Sequence, residues 1–238
     1  MSTFTRRATI VAAAVATLTL AMASGAMAAS TTIRKGSATA DPYGGNVRGS
    51  LISATAGFSG GGLSVTCNQS TIEGSVNSDG TAMTVTTVSF SDTRTSDGRC
   101  PNSAGGSTSI TALNLPYTGG NVTYAPVSGG QDGTMTIAGI LVKAVNSTLL
   151  GTFTCHYTGT GAGGSGTGPL YNPDNPNRPV TTVAEGQFNA NGISAVKVNT
   201  AEYPSSGSCP SSGTLSGAYQ LQGETSPGVF GQTLYLTA

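Results

Sequence analysis

The sequence predicts an all-β protein: an antiparallel β-sandwich, single or in two related halves, each with one disulfide. Three observations predict it. Short runs alternate apolar and polar residues with a period of two, as half-buried strands do. Clusters of Gly, Asn, Asp, Ser and Pro separate these runs, with 35 Gly among 238 residues. Four cysteines fall in two pairs of similar contexts.

The chain opens on a predicted signal peptide, 1–28. Arg6 and Arg7 are followed by an apolar, Ala-rich run from Ala8 to Met22, and small residues then end in Ala26-Met27-Ala28, a peptidase pattern. The run is short for a spanning helix, which needs about 20 apolar residues. Thr5–Ile10 also resembles a twin-arginine signal, so two export routes stay open. Cleavage would leave residues 29–238 as one β-sandwich domain, with no later stretch long and apolar enough to cross a bilayer. Loss of Arg6 and Arg7 from ten basic residues leaves eight against ten acidic ones.

The first clear strand is Asn46–Ala54. In Leu63–Gln69, Leu63, Val65 and Cys67 share one face. Thr71–Val76 and Met83–Phe90 follow, the latter with a slip at Thr86-Thr87 that reads as a bulge. Thr108–Leu115, Asn121–Ala125 and Thr134–Val145 come next. In Thr152–Thr158, Phe153, Cys155 and Tyr157 face one way, and His156 lies on the opposite, Thr-lined face as a surface residue. Thr181–Phe188, Ile193–Thr200, Ser216–Leu221 and Thr233–Leu236 complete the set. A β-solenoid is the alternative, but no short repeat of constant length supports it. The segment at about 159–180 reads as an insertion. It is Gly-rich to Gly168 and then Pro- and Asn-rich to Pro179, with no room for regular strand.

An even cysteine count in an exported chain predicts two disulfides. Four cysteines allow three connectivities. Cys67 and Cys155 each end a Thr-Cys-polar strand, while Cys100 and Cys209 each precede Pro after a Ser/Gly turn. One bridge per copy gives Cys67–Cys100 and Cys155–Cys209.

Composition and motifs argue against most chemistry. Only 8% of residues are charged and the formal net charge is zero, which gives no footprint for nucleic acid. Gly has no every-third-residue period, which excludes collagen. His156 is the one histidine. Gly57-Phe58-Ser59-Gly60-Gly61 fits the G-x-S-x-G elbow, and carboxylates lie between it and His156. The elbow requires a strand–turn–helix, and no helix period follows Ser59. Leu115-Pro116-Tyr117-Thr118-Gly119 fits a sortase-type sorting sequence but lies far from the C-terminus, so a turn between strands is expected. Glu73, Glu185 and Glu202 are too scattered to pair as glycosidase carboxylates. Cysteine and histidine metal spacings are absent, and Asp174 reads as a turn residue. No catalytic, cofactor or metal residues are therefore assigned. Sequons begin at Asn68, Asn121 and Asn146. Tyr171 and Tyr203, beside Asn and Pro, are the candidate ligand contacts, since exposed Tyr can stack on sugars or anchor partners.

The leader, the Gly61–Cys67 strand, the Cys100-Pro101 turn, the Leu113–Tyr117 strand end and the later cysteine pair resemble small exported β-proteins of actinobacteria. A more distant similarity is to the bacterial secreted protein type called activator of alkane oxidation. The resemblance implies an extracellular or surface β-protein, with self-association as an option for this chain, and carries no catalytic residue. The expected function is a secreted, non-enzymatic protein with a structural, adhesive or self-assembly role, its partners being itself or other cell-surface components. A small-molecule or carbohydrate binding module is the alternative, and a secreted hydrolase the second alternative.

Overall fold

Alternation places one face of every strand on the interior, and the chain satisfies all of these faces at once by winding them around a single axis. The computed structural model describes residues 30–238; the predicted leader lies outside the described residues. The first strand, β1 (Thr32–Lys35), is followed by eight long ribs, each broken into two strands. In chain order these are β2 (Gly45–Leu51) with β3 (Ala56–Gly60), and β4 (Leu63–Cys67) with β5 (Gln69–Val76). The third is β6 (Met83–Ser91) with β7 (Cys100–Asn102), and the fourth β8 (Gly106–Ala112) with β9 (Tyr117–Tyr124). The fifth is β10 (Gly133–Ile137) with β11 (Leu141–Thr148), and the sixth β12 (Gly151–Gly159) with β13 (Gly166–Tyr171). The last two are β14 (Gly186–Asn189) with β15 (Ser194–Val198), and β16 (Ser212–Ser216) with β17 (Ala218–Ser226). β18 (Val229–Thr237) ends the chain.

Each rib gives one strand to each of two closed barrels. The upper barrel runs β17-β14-β13-β10-β9-β6-β5-β2 and closes through β17–β2. The lower barrel runs β11-β12-β15-β16-β3-β4-β7-β8 and closes through β8–β11. The ribs follow one cyclic order in both. The molecule is thus an up-and-down meander of eight antiparallel ribs, pinched at a waist into two stacked barrels. The expected sandwich is corrected on this point. Alternation marks which face is buried, and a sandwich and a barrel bury the same face. What separates them is the pairing of the first rib with the last, a contact between residues 49 and 221.

The waist is built from short links. The fifth rib turns at Gly139 (φ 72°), a left-handed conformation that glycine adopts without steric cost, so the expected single strand Thr134–Val145 divides into β10 and β11. The fourth rib bends through Asn114 (φ 58°) and the cis peptide Leu115–Pro116, so the sortase-like motif is a structural turn. The Gly-rich part of the expected insertion contains β13, which pairs with β10 and β14. It is a necessary eighth of the barrel. A Cβ at Gly168 would meet the Phe188 ring at 2.7 Å, so the residue that hides the strand from a sequence reading is the one its packing demands. The Thr181–Phe188 expectation shortens to β14, because 172–185 forms the turn above it.

Both expected disulfides are formed, Cys67–Cys100 and Cys155–Cys209, which places folding in an oxidising compartment. Each half of the sequence owns one bridge. In space both belong to the lower barrel, because Cys67, Cys100 and Cys155 lie on β4, β7 and β12 and Cys209 lies on the β15–β16 connection. A sequence half passes through both barrels and corresponds to neither one.

The chain ends close the top. β1 pairs with the end of β18, Ile33 opposite Leu236 and Lys35 opposite Leu234. This two-stranded ribbon lies across the upper mouth. Ile33 N donates to Ser78 O in the β5–β6 turn, and Tyr124 N donates to Thr31 Oγ1. Asn172 binds both backbone polar groups of Leu236, at 2.9 and 2.7 Å. Alternation turns Ile33, Leu234 and Leu236 downward into the core.

Candidate functional site: an apolar lumen in two chambers

The inward residues of the ribs do not fill the tube. In the upper barrel, Ile72, Val76, Met83, Val122, Met135, Leu170 and Phe188 surround a cavity of about 90 Å³, roofed by Ile33, Leu234 and Leu236. Below it, a second cavity of about 150 Å³ lies among Phe58, Val65, Ile110, Val142, Tyr157 and Leu215 of the lower barrel and Val88 and Phe90 of the upper. Ile72, Val85 and Ile137 line both, and so form the septum between the chambers. The lower space exists because three inward positions carry alanine: Ala112, Ala144 and Ala195. An eight-stranded barrel is just wide enough for its side chains to fill or to hold one small ligand. Small residues at these positions favour the second outcome.

The walls offer almost no free polarity. The Tyr117 hydroxyl donates to Leu141 O at 2.5 Å and accepts from Leu141 N at 3.2 Å. The Tyr157 hydroxyl donates to Pro210 O, and Tyr219 reaches Ser70 Oγ at 3.1 Å. Burial pushes all three phenols upward, Tyr157 to about 12, so they stay neutral at ordinary pH. Glu73 is the one charged residue bordering either chamber; its side chain alternates to the outer face of β5, where Arg48 Nε holds the carboxylate at 2.7 Å. The lower end carries a polar knot: Asn102 Nδ2 donates to Thr108 Oγ1, which donates to Asn146 Oδ1 at 2.8 Å. Asn146 is 1% exposed, so the sequon that begins there is closed to modification.

The residues singled out in the sequence are dispersed. Tyr171, at the end of β13, borders the upper chamber. Tyr203 sits outside the waist. Its hydroxyl donates to Glu202 Oε1 and accepts from Asn114 Nδ2, both at 2.7 Å. Its ring lies 5.8 Å from that of His156. His156 does point away from the lumen, but the 199–211 connection folds over it, leaving it 6% exposed, with Nδ1 3.0 Å from Pro204 O. It is therefore a buried residue rather than a surface one. Ser59 is exposed on β3, which turns directly into β4, so the G-x-S-x-G pattern has no helix behind it. Asp132 Oδ2 accepts from Asn172 N and Asn175 Nδ2, which orders the Asn/Pro turn, while Asp174 stays exposed. Among the described residues, no group of three His, Cys, Asp or Glu is placed to hold a metal ion. None of their helices is long and apolar enough to cross a membrane.

The sequence reading missed the lumen. Its available signal was alanine at inward positions of well-marked strands. It also missed β1, whose partner lies some two hundred residues away. No family model, curated protein or solved structure matches the chain.

Proposed function

We propose that this protein is a non-enzymatic, extracellular barrel that encloses one small apolar molecule, of the binding-module class rather than the self-assembling class. The observation that carries this reading is the lower chamber of about 150 Å³, walled by apolar side chains and free of unpaired hydrogen-bonding groups. An apolar cavity of about this size in another protein stays dry and takes up benzene or xenon. An unfilled void is costly: at about 24 cal/mol per Å³, the chamber withholds about 3 to 4 kcal/mol of packing that a ligand would partly restore. The ligand class follows from the wall. It is a molecule with few heavy atoms and no polar group, since no donor or acceptor waits for one. Sugars do not fit that description. Closure also leaves no free strand edge in either barrel, so strand addition has only β1, the outer strand of the terminal ribbon, to build on.

Thermal unfolding in the presence of benzene or n-pentane tests the proposal. The melting temperature is expected to rise by several degrees, because a ligand that binds only the folded state stabilises by mass action. Ala144→Leu, which fills the chamber, should melt at or above the wild type and lose the ligand response. A wild type indifferent to both compounds, beside a folded Ala144→Leu variant, would overturn the reading.

A further inference from the structure

The lower end of the molecule differs chemically from the upper. Four turns meet there, and residues of all four line one open concavity: Gly61, Ala104, Leu150, Phe153 and Ser206 among them, with no charged side chain in the lining. At its edge the β11–β12 turn presents two consecutive leucines to solvent, Leu149 at 85% exposure and Leu150 at 100%. The turn is firmly made. Leu150 N donates to Thr148 Oγ1, and Thr148 Oγ1 donates to Gly151 O at 2.9 Å, so the backbone of the turn is defined while both leucine side chains face solvent. Exposed Val127 and Val229, at the upper end, stand singly among turns that carry Asp79, Asp132 and Asp174, with Glu224 near the end of β17.

We propose that this uncharged end is a lipid-contact tip: Leu149 and Leu150 insert into the outer layer of a bilayer while the barrel stands on it. Size decides against a protein partner. Two leucines on a turn fall far short of the 1,000 Å² or so that a stable protein interface needs. A bilayer accepts a small apolar tip with an affinity that scales with the apolar area buried, so two leucines give a weak, reversible attachment. Spanning is excluded by pattern. The barrels are apolar inside and carry Thr71, Glu73, Thr134 and Thr136 outside, the reverse of a lipid-embedded barrel. The lining carries no charge, and the nearby Arg99 guanidinium is engaged by Val145 O and Ser147 Oγ, so attachment does not depend on headgroup charge and survives high salt.

The chain contains no Trp, so Leu150→Trp makes a unique fluorescent reporter in the mature protein. With phosphatidylcholine vesicles in large excess its emission should shift to the blue, equally in 0.1 M and 1 M NaCl, and a measurable fraction of the wild type should float with the vesicles. Leu149→Ser/Leu150→Ser should reduce the floated fraction at least tenfold with an unchanged melting temperature, while Val127→Ser/Val229→Ser should float normally. The proposal is overturned by an unmoved Trp emission, by binding that needs anionic lipid or disappears in salt, or by a sedimenting dimer that the double Ser variant abolishes.

Discussion

The two barrels are built from the same eight ribs and are closed by opposite means. The lower is fastened covalently: two disulfides tie β4 to β7 and β12 to the β15–β16 connection, beside the Asn102–Thr108–Asn146 knot. The upper is fastened by reversible contacts alone, a ribbon made from both chain ends and held by side-chain and backbone hydrogen bonds. The bridges pin neighbouring segments of the lower barrel to one another, whereas only non-covalent contacts hold the upper roof against local unfolding of its ribbon. On the function proposed above, β1 and the end of β18 are the segment whose opening would admit a small molecule to the upper chamber, ahead of the septum of Ile72, Val85 and Ile137.

The largest expected effect comes from the covalent side. Each bridge closes a long loop, with sequence separations of 33 and 54 residues, and the chain-entropy model gives about 4 kcal/mol for each. Cys155→Ala/Cys209→Ala should lower the unfolding free energy by about that amount in urea titrations. Because the ribs run through both barrels, unfolding should remain a single transition. Two separate transitions would show the barrels to be independent and break the comparison. The roof comes next. Leu236→Ala removes a buried side chain that lies over Gly133 and should cost about 3 kcal/mol. Amide exchange at Ile33 and Leu236 should accelerate by about a hundredfold, with the lower barrel least affected. Uniform acceleration across both barrels would mean that the roof is no separate opening unit.

Some of this was legible in the sequence, for identifiable reasons. β4 and β12 show clean alternation because one face of each is apolar: Leu63, Val65 and Cys67 on the first, Phe153, Cys155 and Tyr157 on the second. The disulfides were legible because Cys67 and Cys155 share one local context, and Cys100 and Cys209 another. β13 was hidden because Gly166 and Gly168 have no side chains with which to alternate. Their absence of side chains is what lets Ile193 and Phe188 pack against the waist. Closure and the terminal ribbon depend on partners far apart in the chain, such as Thr32 and Thr237, which no local pattern records. The lumen was invisible because alanine at 112, 144 and 195 reads as any small residue until its neighbours across the barrel are known. His156 was assigned to the correct face. Its burial comes from a connection that doubles back along the barrel to Asn114, a path set by tertiary contacts.

The smallest effect belongs to the seam between the barrels, where the link from β6 to β7 is anchored by Asp92. Its side chain is enclosed, and Oδ1 accepts from Arg94 N and Nε at 2.9 and 2.8 Å. Oδ2 accepts from Arg94 Nη2 at 2.5 Å and from Asn68 N at 3.2 Å. The Arg94 side-chain bonds, helped by backbone donors and the guanidinium charge, outweigh burial and hold the carboxyl down to about 2. An unfolded aspartate titrates near 3.9, so the folded state prefers the ionised form. The contribution is therefore complete above about pH 4 and disappears as pH falls through 2. Asp92→Asn should cost about 2 kcal/mol at neutral pH, the scale of hydrogen bonds to a charged group. The gap from the wild type should close between pH 4 and pH 2 in urea titrations. A gap that persists unchanged at pH 2 would assign Asp92 to packing alone. Because the link it secures passes from one barrel to the other, Asp92→Asn should speed amide exchange on both sides of the waist alike, where Leu236→Ala acts on one.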